Sequence, residues 1–224
     1  MNLEILTTMS FKYLTNKHSF DSIVDPYQTN WADYWYLQSR DYQTYTWSND
    51  IFNEEELEKI IIVGKRLTKE RAQTGGHGED CLDIRRSHVS WITINDYTKF
   101  IYSKISQAVN DTNEKFFNFD LTMLERLQFT EYSSNELGFY EQHVDPLVWC
   151  NPHNRKLSFV LQLSDPSEYE GGELKLYTAK DPIVIKKTRG LAVFFPSYVL
   201  HEVTPVTEGT RHSLVGWVHG PSFK

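Results

Sequence analysis

From residue 121 onward the chain is a succession of short apolar or alternating runs: LTMLERLQFTEY, KLSFVLQL, GELKLY, PIVIKK, GLAVFFP and RHSLVGWVHG, separated by turn residues. Such runs read as strands. Two helical patterns precede them. Asn53 can cap a helix whose first residues, Glu54, Glu55 and Glu56, suit the positive end of the dipole. Leu57, Ile60, Ile61 and Leu67 then recur at helical spacing. HVSWITI (88–94) alternates as a strand, and Asn95 or Asp96 is expected to cap a second helix with Phe100, Ile101, Ile105, Ala108 and Val109 on one face. Two helices followed by many strands predict an antiparallel double sheet backed by helices. The expected fold class is mainly β with supporting α-helices, and a double-stranded β-helix (a jelly-roll, cupin-like core) is the simplest such architecture.

A chain of 224 residues suits one well-buried domain, placed at residues 49–224. Residues 1–48 are polar and aromatic without a period, with Trp31, Tyr34, Trp35 and Tyr36 clustered. They are expected to form an N-terminal extension packed on the core. RAQTGGHGEDC (71–81) reads as a loop. An apolar fraction of 40% is too high for a disordered chain. A net charge of -7 argues against generic nucleic-acid binding. Cys81 and Cys150 make no disulfide framework. The start lacks the pattern of a secretory signal, and no apolar stretch is long enough for a membrane span. A reduced, soluble, cytoplasmic setting is expected.

The chemistry-bearing residues sit among the strands. In His143-Val144-Asp145 the outer two residues share one face of a strand. Pro146 stops ladder pairing, which puts the pair at a strand end, in the mouth of a barrel. His201 lies 56 residues beyond Asp145, at the start of HEVTPV, and strands folded back on one another bring it beside the first pair. Two imidazoles and one carboxylate are the ligand set that holds Fe(II) on one face and leaves other positions open. The alternative for His201 is a hydrogen-bonded core histidine. Arg211 begins the apolar strand RHSLVGWV, where a guanidinium needs a partner. A carboxylate of a small dicarboxylate held beside the metal fits its fork; an internal salt bridge is the alternative. Ser213, on the same face, can donate to that carboxylate. Tyr132 and Tyr140 precede His143 and can reach the same ligand, or are core tyrosines with satisfied hydroxyls. Phe194, Phe195 and Trp217 are apolar neighbours that would keep the site dry, or are plain core residues.

At these residues the chain resembles the Fe(II)- and 2-oxoglutarate-dependent dioxygenases of the prolyl 4-hydroxylase type, the PKHD-type hydroxylases in particular. LGFYEQHVDP, RKLSFVLQLSDPSEYEGGELKLY and RGLAVFFPSYVLHEVTPVTEGTRHSLVGWVHGP carry the resemblance in family order over about residues 121–220, and IRRSHVSWI (84–92) is similar to an earlier family strand. The resemblance implies His143, Asp145 and His201 as the catalytic iron ligands, and Arg211 as the partner of the 2-oxoglutarate C5 carboxylate. It places Tyr132 and Tyr140 near that cosubstrate and Arg155 by the substrate mouth, where a solvated strand-end charge is the alternative. It implies Fe(II), 2-oxoglutarate and molecular oxygen, with ascorbate in support. The expected reaction is hydroxylation of a C–H bond, of a prolyl residue in a peptide or protein, with release of succinate and CO2. A carboxylate at Asp145 speaks for hydroxylation, since halogenating relatives carry a small residue there. Gln162 stands where some relatives have a tyrosine. The same chemistry on a free amino acid, small metabolite or nucleobase is the competing enzyme reading. A jelly-roll binding module is the non-enzymatic one.

Overall fold

The computed structural model describes residues 43–73, 81–145 and 153–221. The aromatic cluster at 31–36, Cys150 and most of the 71–81 loop lie outside them. Among these residues fourteen strands and two α-helices follow in chain order: β1 (Thr46–Ser48), α1 (Glu54–Arg66), β2 (Glu70–Arg71), β3 (Arg85–Arg86), β4 (His88–Ile92), α2 (Lys99–Thr112), β5 (Met123–Leu124), β6 (Leu127–Ser133), β7 (Phe139–His143), β8 (His153–Gln162), β9 (Tyr169–Gly171), β10 (Leu174–Tyr177), β11 (Ile183–Val184), β12 (Ala192–Pro196), β13 (Leu200–Val203) and β14 (Val206–Pro221). The larger sheet runs β1-β12-β8-β14-β6-β4-β2, with β5 and β9 also pairing β14; the smaller runs β11-β10-β13-β7-β3. Strand pairing is antiparallel throughout, as in a jelly roll. The proposed boundary at residue 48 falls at the end of β1, which is itself a strand of the larger sheet.

The larger sheet is covered on both faces, and strand alternation divides its residues between two cores. Leu157, Phe159 and Leu161 of β8, Phe194 of β12 and Leu214 of β14 pack with Leu57, Ile60, Ile101 and Ile105 of the helices. Val160, Val193 and Phe195 point the other way and meet Leu174, Leu176 and Val203 of the smaller sheet. The period of two leaves no other choice. It also separates the neighbours Phe194 and Phe195: Phe194 is a core residue on the helix side, and Phe195 reaches the space between the sheets.

Helix α1 begins where its cap predicts. The Asn53 side chain accepts from the Glu56 amide at 2.9 Å, and Glu56 accepts from the Asn53 amide at 3.0 Å, a capping box. Helix α2 begins later than expected, at Lys99 after Thr98. Asn95 accepts instead from the Tyr97 and Thr98 amides and shapes the turn before the helix. Among the described residues no helix is long and apolar enough to cross a membrane.

Two features of this packing are testable. A β-carbon at Gly64 of α1 would stand 2.3 Å from the Phe129 ring, which is buried and stacks on His212. Alanine normally gains about 1 kcal/mol over glycine inside a helix, whereas overpacking a rigid core costs about 1–3 kcal/mol. Gly64→Ala is therefore expected to lower stability in urea unfolding; a more stable variant would show that the ring yields. On the same sheet face Glu131 pairs with Lys69 at 2.8 Å and with His212 at 3.2 Å. The His212 hydrogen bond, and then Lys69, hold its carboxyl at about 2, below the usual 4.5. A lowered carboxyl contributes stability that is complete above its unfolded value and lost as pH falls. The stability gap between wild type and Glu131→Gln is expected to be full at pH 5 and to close toward pH 2. A gap constant across that window would dissociate Glu131 from the pair.

Candidate metal and carboxylate site

Strands β7 and β13 are neighbours in the smaller sheet, and their register sets His143 directly opposite His201. Opposed residues on one face stand close enough for their side chains to meet, and the two ring centroids are 4.1 Å apart. The chain leaves β7 with the Asp145 amide donating to the Ser197 carbonyl at 3.0 Å, which carries its carboxylate to the end of β12. There Ser158 Oγ donates to Asp145 Oδ2, and Ser158 and Ser197 hydroxyls lie 2.9 Å apart. His201 Nε2 stands 3.8 Å from Asp145 Oδ2. One ligand atom from each of His143, Asp145 and His201 falls within 4.8 Å of the others.

The backbone sets the form of both imidazoles. His143 Nδ1 is 2.7 Å from the Glu141 carbonyl and His201 Nδ1 is 2.9 Å from the Val199 carbonyl. A carbonyl only accepts, so each Nδ1 carries the proton and each Nε2 offers a lone pair. This is the usual support of a metal-ligating histidine. Burial, and then His201, push His143 down to about 3, so it is neutral at physiological pH, as a ligand must be. Tyr140 stacks on the His143 ring at 3.4 Å. Burial pushes its phenol up to about 12, so it stays a protonated donor. Phe195 meets His201 edge-on at 4.8 Å. Arg85 lies over the Tyr140 ring and bonds only neutral groups, Ser87 Oγ at 2.7 Å and Gln128 Oε1 at 3.1 Å.

Arg211 faces the same space from β14. It is 1% exposed, lies 5.5 Å over the Tyr132 ring, and donates to Gln162 Oε1 at 2.9 Å and to Ser213 Oγ at 3.4 Å. Its Nε has no partner, and no carboxylate pairs with it among the described residues. The internal salt bridge left open by the sequence is not there. A buried guanidinium without an anion is costly, and among the described residues only neutral groups meet this one. Arg155 is placed differently. Both its Nε and Nη2 bond Glu125, at 2.6 and 2.8 Å, Glu125 also bonds His219, and the guanidinium lies 3.9 Å over Trp217.

The structure thus brings His143, Asp145 and His201 together, sets Tyr140 against the first histidine, and groups Tyr132 and Ser213 with Arg211. Sequence reasoning missed Ser158 and Tyr169 and committed nothing to Gln162. Alternation carried part of the signal for two of them: Ser158 and Gln162 share the parity of β8 opposite to Leu157, Phe159 and Leu161, although Lys156 has the same parity and nothing local separates the three.

Removing the Ser158 hydroxyl leaves one Asp145 oxygen without its donor. Loss of such a supporting bond typically costs about 10–100-fold in metal affinity. Ser158→Ala is expected to weaken binding of Fe(II), or of Co(II) as a stable substitute, by that order in a direct titration. Unchanged affinity would show that the Asp145 backbone bond alone fixes the carboxylate.

The comparisons agree with this geometry. Residues 127–219 match the family profile of the 2OG-Fe(II) oxygenase superfamily. A PKHD-type hydroxylase of Prochlorococcus marinus is 44% identical over 85 residues, 38% of each chain. The chain thus spans well under half the length of that relative, and 55% of a second, from Gloeothece citriformis. The PKHD-type hydroxylase YbiX of Escherichia coli is 37% identical over 172 residues, 73% of this chain and 70% of that one. Among solved structures, a Pseudomonas putida prolyl-4-hydroxylase superposes with a TM-score of 0.64 at 20% identity, over 80% of this chain and 94% of that one. A Trichoplax adhaerens prolyl hydroxylase in complex with a hypoxia inducible factor peptide fragment superposes at 0.66 and 17% identity, over 78% and 83%. With a jelly-roll core, a His-Asp-His cluster and a relative matched over more than two thirds of both chains, this chain belongs to the PKHD-type hydroxylases of the 2OG-Fe(II) oxygenase superfamily.

Proposed function

We propose that this chain is an Fe(II)- and 2-oxoglutarate-dependent hydroxylase of a C–H bond, acting on a prolyl residue in a peptide or protein. The observation that carries the reading is the pairing of two features in one interior: three groups able to ligate one ion, and a buried arginine with no acid beside it among the described residues. His143, Asp145 and His201 would hold the ferrous ion, and Arg211 with Ser213 would take the far carboxylate of 2-oxoglutarate. When bound, these two supply the oxidising chemistry: oxygen is consumed, the oxo acid becomes succinate and CO2, and one oxygen atom enters the substrate C–H bond.

The chain's own part is to bind, orient and exclude. The Nδ1 bonds of the two histidines fix which nitrogens face the ion. Tyr140 and Phe195 pack against the imidazoles and limit water there. Arg211 fixes the orientation of the cosubstrate, a positioning role. Tyr132 lies beneath the guanidinium and restricts its swing. The prolyl substrate is supported by the superposed structures, both prolyl hydroxylases, one of which holds a peptide. Arg155, held by Glu125 over Trp217, is proposed to line the substrate mouth. Ascorbate as a supporting reductant and an intracellular setting belong to the same reading.

The test is succinate formation from 2-oxoglutarate with Fe(II), with and without proline-containing peptides, free proline and nucleobases. Peptide-stimulated turnover with hydroxyproline in the product is expected. Stimulation only by a small molecule would move the substrate class, and no turnover under any condition would leave a binding module. His143→Ala should abolish succinate formation and tight iron binding. Arg211→Ala should weaken 2-oxoglutarate binding by roughly 30-fold to several-thousand-fold, the range for truncating one partner of a buried charge pair, and should leave iron affinity unchanged. Wild-type cosubstrate affinity in a folded Arg211→Ala protein would assign the arginine a structural role.

A further inference from the structure

Four polar groups surround the Arg211 guanidinium, and none is an acid. Gln162 Oε1 accepts from Nη2 at 2.9 Å, Ser213 Oγ lies 3.4 Å from Nη1, the Tyr169 hydroxyl lies against the same guanidinium, and the Tyr132 ring lies beneath it. All four are buried, Gln162 to 2% exposure. An arginine only donates, so the Gln162 oxygen faces it and the amide nitrogen points away. Gly172 completes the cradle: a β-carbon there would stand 3.0 Å from Arg211 Cδ and 3.3 Å from the Tyr169 ring, and its φ of +60° suits glycine. Strand β9, paired to β14, and the glycine turn that follows it therefore bring both the phenol and the space that the arginine needs.

We propose that Gln162 and Tyr169 are positioning residues that hold Arg211 through neutral acceptors, so that its full charge stays available for the distal carboxylate of a dianionic 2-oxo acid. The inference rests on the proposed binding of 2-oxoglutarate at this site. A carboxylate in place of either group would position the guanidinium equally well. It would also neutralise it and repel the incoming anion. In a buried site such charges are weakly screened, and like charges brought together are strongly unfavourable. Neutral acceptors give the geometry without that competition. They leave an unpartnered buried Nε and an uncompensated cation in the free protein, a local instability that ligand binding relieves.

The experiment compares wild type, Gln162→Glu, Tyr169→Phe and Arg211→Ala, each loaded with Fe(II) under anaerobic conditions. Two probes are titrated by calorimetry: 2-oxoglutarate, and 2-oxopentanoate, the same carbon chain without the distal carboxylate. Melting temperature is read without either. Gln162→Glu should melt no lower than wild type, because the new acid pairs with Arg211, and should bind 2-oxoglutarate at least about thirtyfold more weakly, with little change for 2-oxopentanoate. Tyr169→Phe should reduce the preference for 2-oxoglutarate over 2-oxopentanoate by roughly tenfold, the scale of one hydrogen bond to a charged group. Equal weakening of both probes in Gln162→Glu, or wild-type binding of 2-oxoglutarate, overturns the inference. Should that variant fail to fold, an unchanged preference in Tyr169→Phe overturns it. Arg211→Ala separates the levels. If it keeps wild-type 2-oxoglutarate affinity, the underlying binding assignment fails. If it loses affinity while Gln162→Glu does not, only the neutral-acceptor role fails.

Discussion

The pairing of His143 with His201 across β7 and β13 fixes everything at the centre of this molecule. Both residues belong to short strands, and a strand slipped by one residue turns every side chain to the opposite face. Such a slip would send one imidazole out of the space between the sheets. The register is held from both sides. Leu176 of β10, fully buried, is paired with His201, and Arg85 and Arg86 of β3 pair with Tyr140 and Phe139 of β7. Asp145 cannot use the ladder, since it lies beyond the strand end. Its bonds to Ser197 and Ser158 replace the ladder there. The candidate site is thus rigid because it is built on paired strands and on the ends of strands that are themselves paired.

What the sequence made legible followed from periodicity and from residue type. Alternation and turn residues gave the strands after 121, the asparagine and three glutamates gave the start of α1, and the polar residues of HVD with a later histidine gave the cluster. Alternation also held information that residue type alone obscured. Phe194 looks as suited to a dry site as Phe195, yet parity sends it toward the helices. Gln162 looks like a departure, yet parity places it beside Arg211. The start of α2 was misplaced because Asn95 spends its side chain on a turn, which local composition does not distinguish from a cap.

Other features were illegible because they are made only by the assembled fold. Tyr169 reaches Arg211 from more than forty residues away, because β9 pairs with the strand that carries the arginine and two left-handed glycines, Gly171 and Gly172, turn the chain beside it. Ser158 gives no local sign of holding a carboxylate thirteen residues earlier. The pairing of Arg155 with Glu125 spans thirty residues and three strands. No spacing rule joins such residues, since the register between β8, β14 and β6 decides which of them meet.

The treatment of cations divides the molecule into two chemical regimes. Toward the surface, arginines and histidines are matched with carboxylates: Arg189 with Glu54 and Glu58, Arg71 with Glu136, Arg155 and His219 with Glu125, and Lys69 and His212 with Glu131. Between the sheets the rule reverses. Arg211 and Arg85, at 1% and 7% exposure, are the two buried arginines among the described residues, and both are held by amide, hydroxyl and aromatic groups alone. Desolvation makes this the least favourable place for an unpaired charge. Fold stability alone would favour an acid or a hydrocarbon at either position. The chain instead places its one described interior carboxylate near these groups, Asp145, against the two imidazoles, and leaves both guanidiniums without an anion among the described residues. The interior therefore carries an excess of positive charge before any ligand enters. That excess is the electrostatic counterpart of the geometry, and it is the charge that the proposed binding of a dianionic oxo acid would balance.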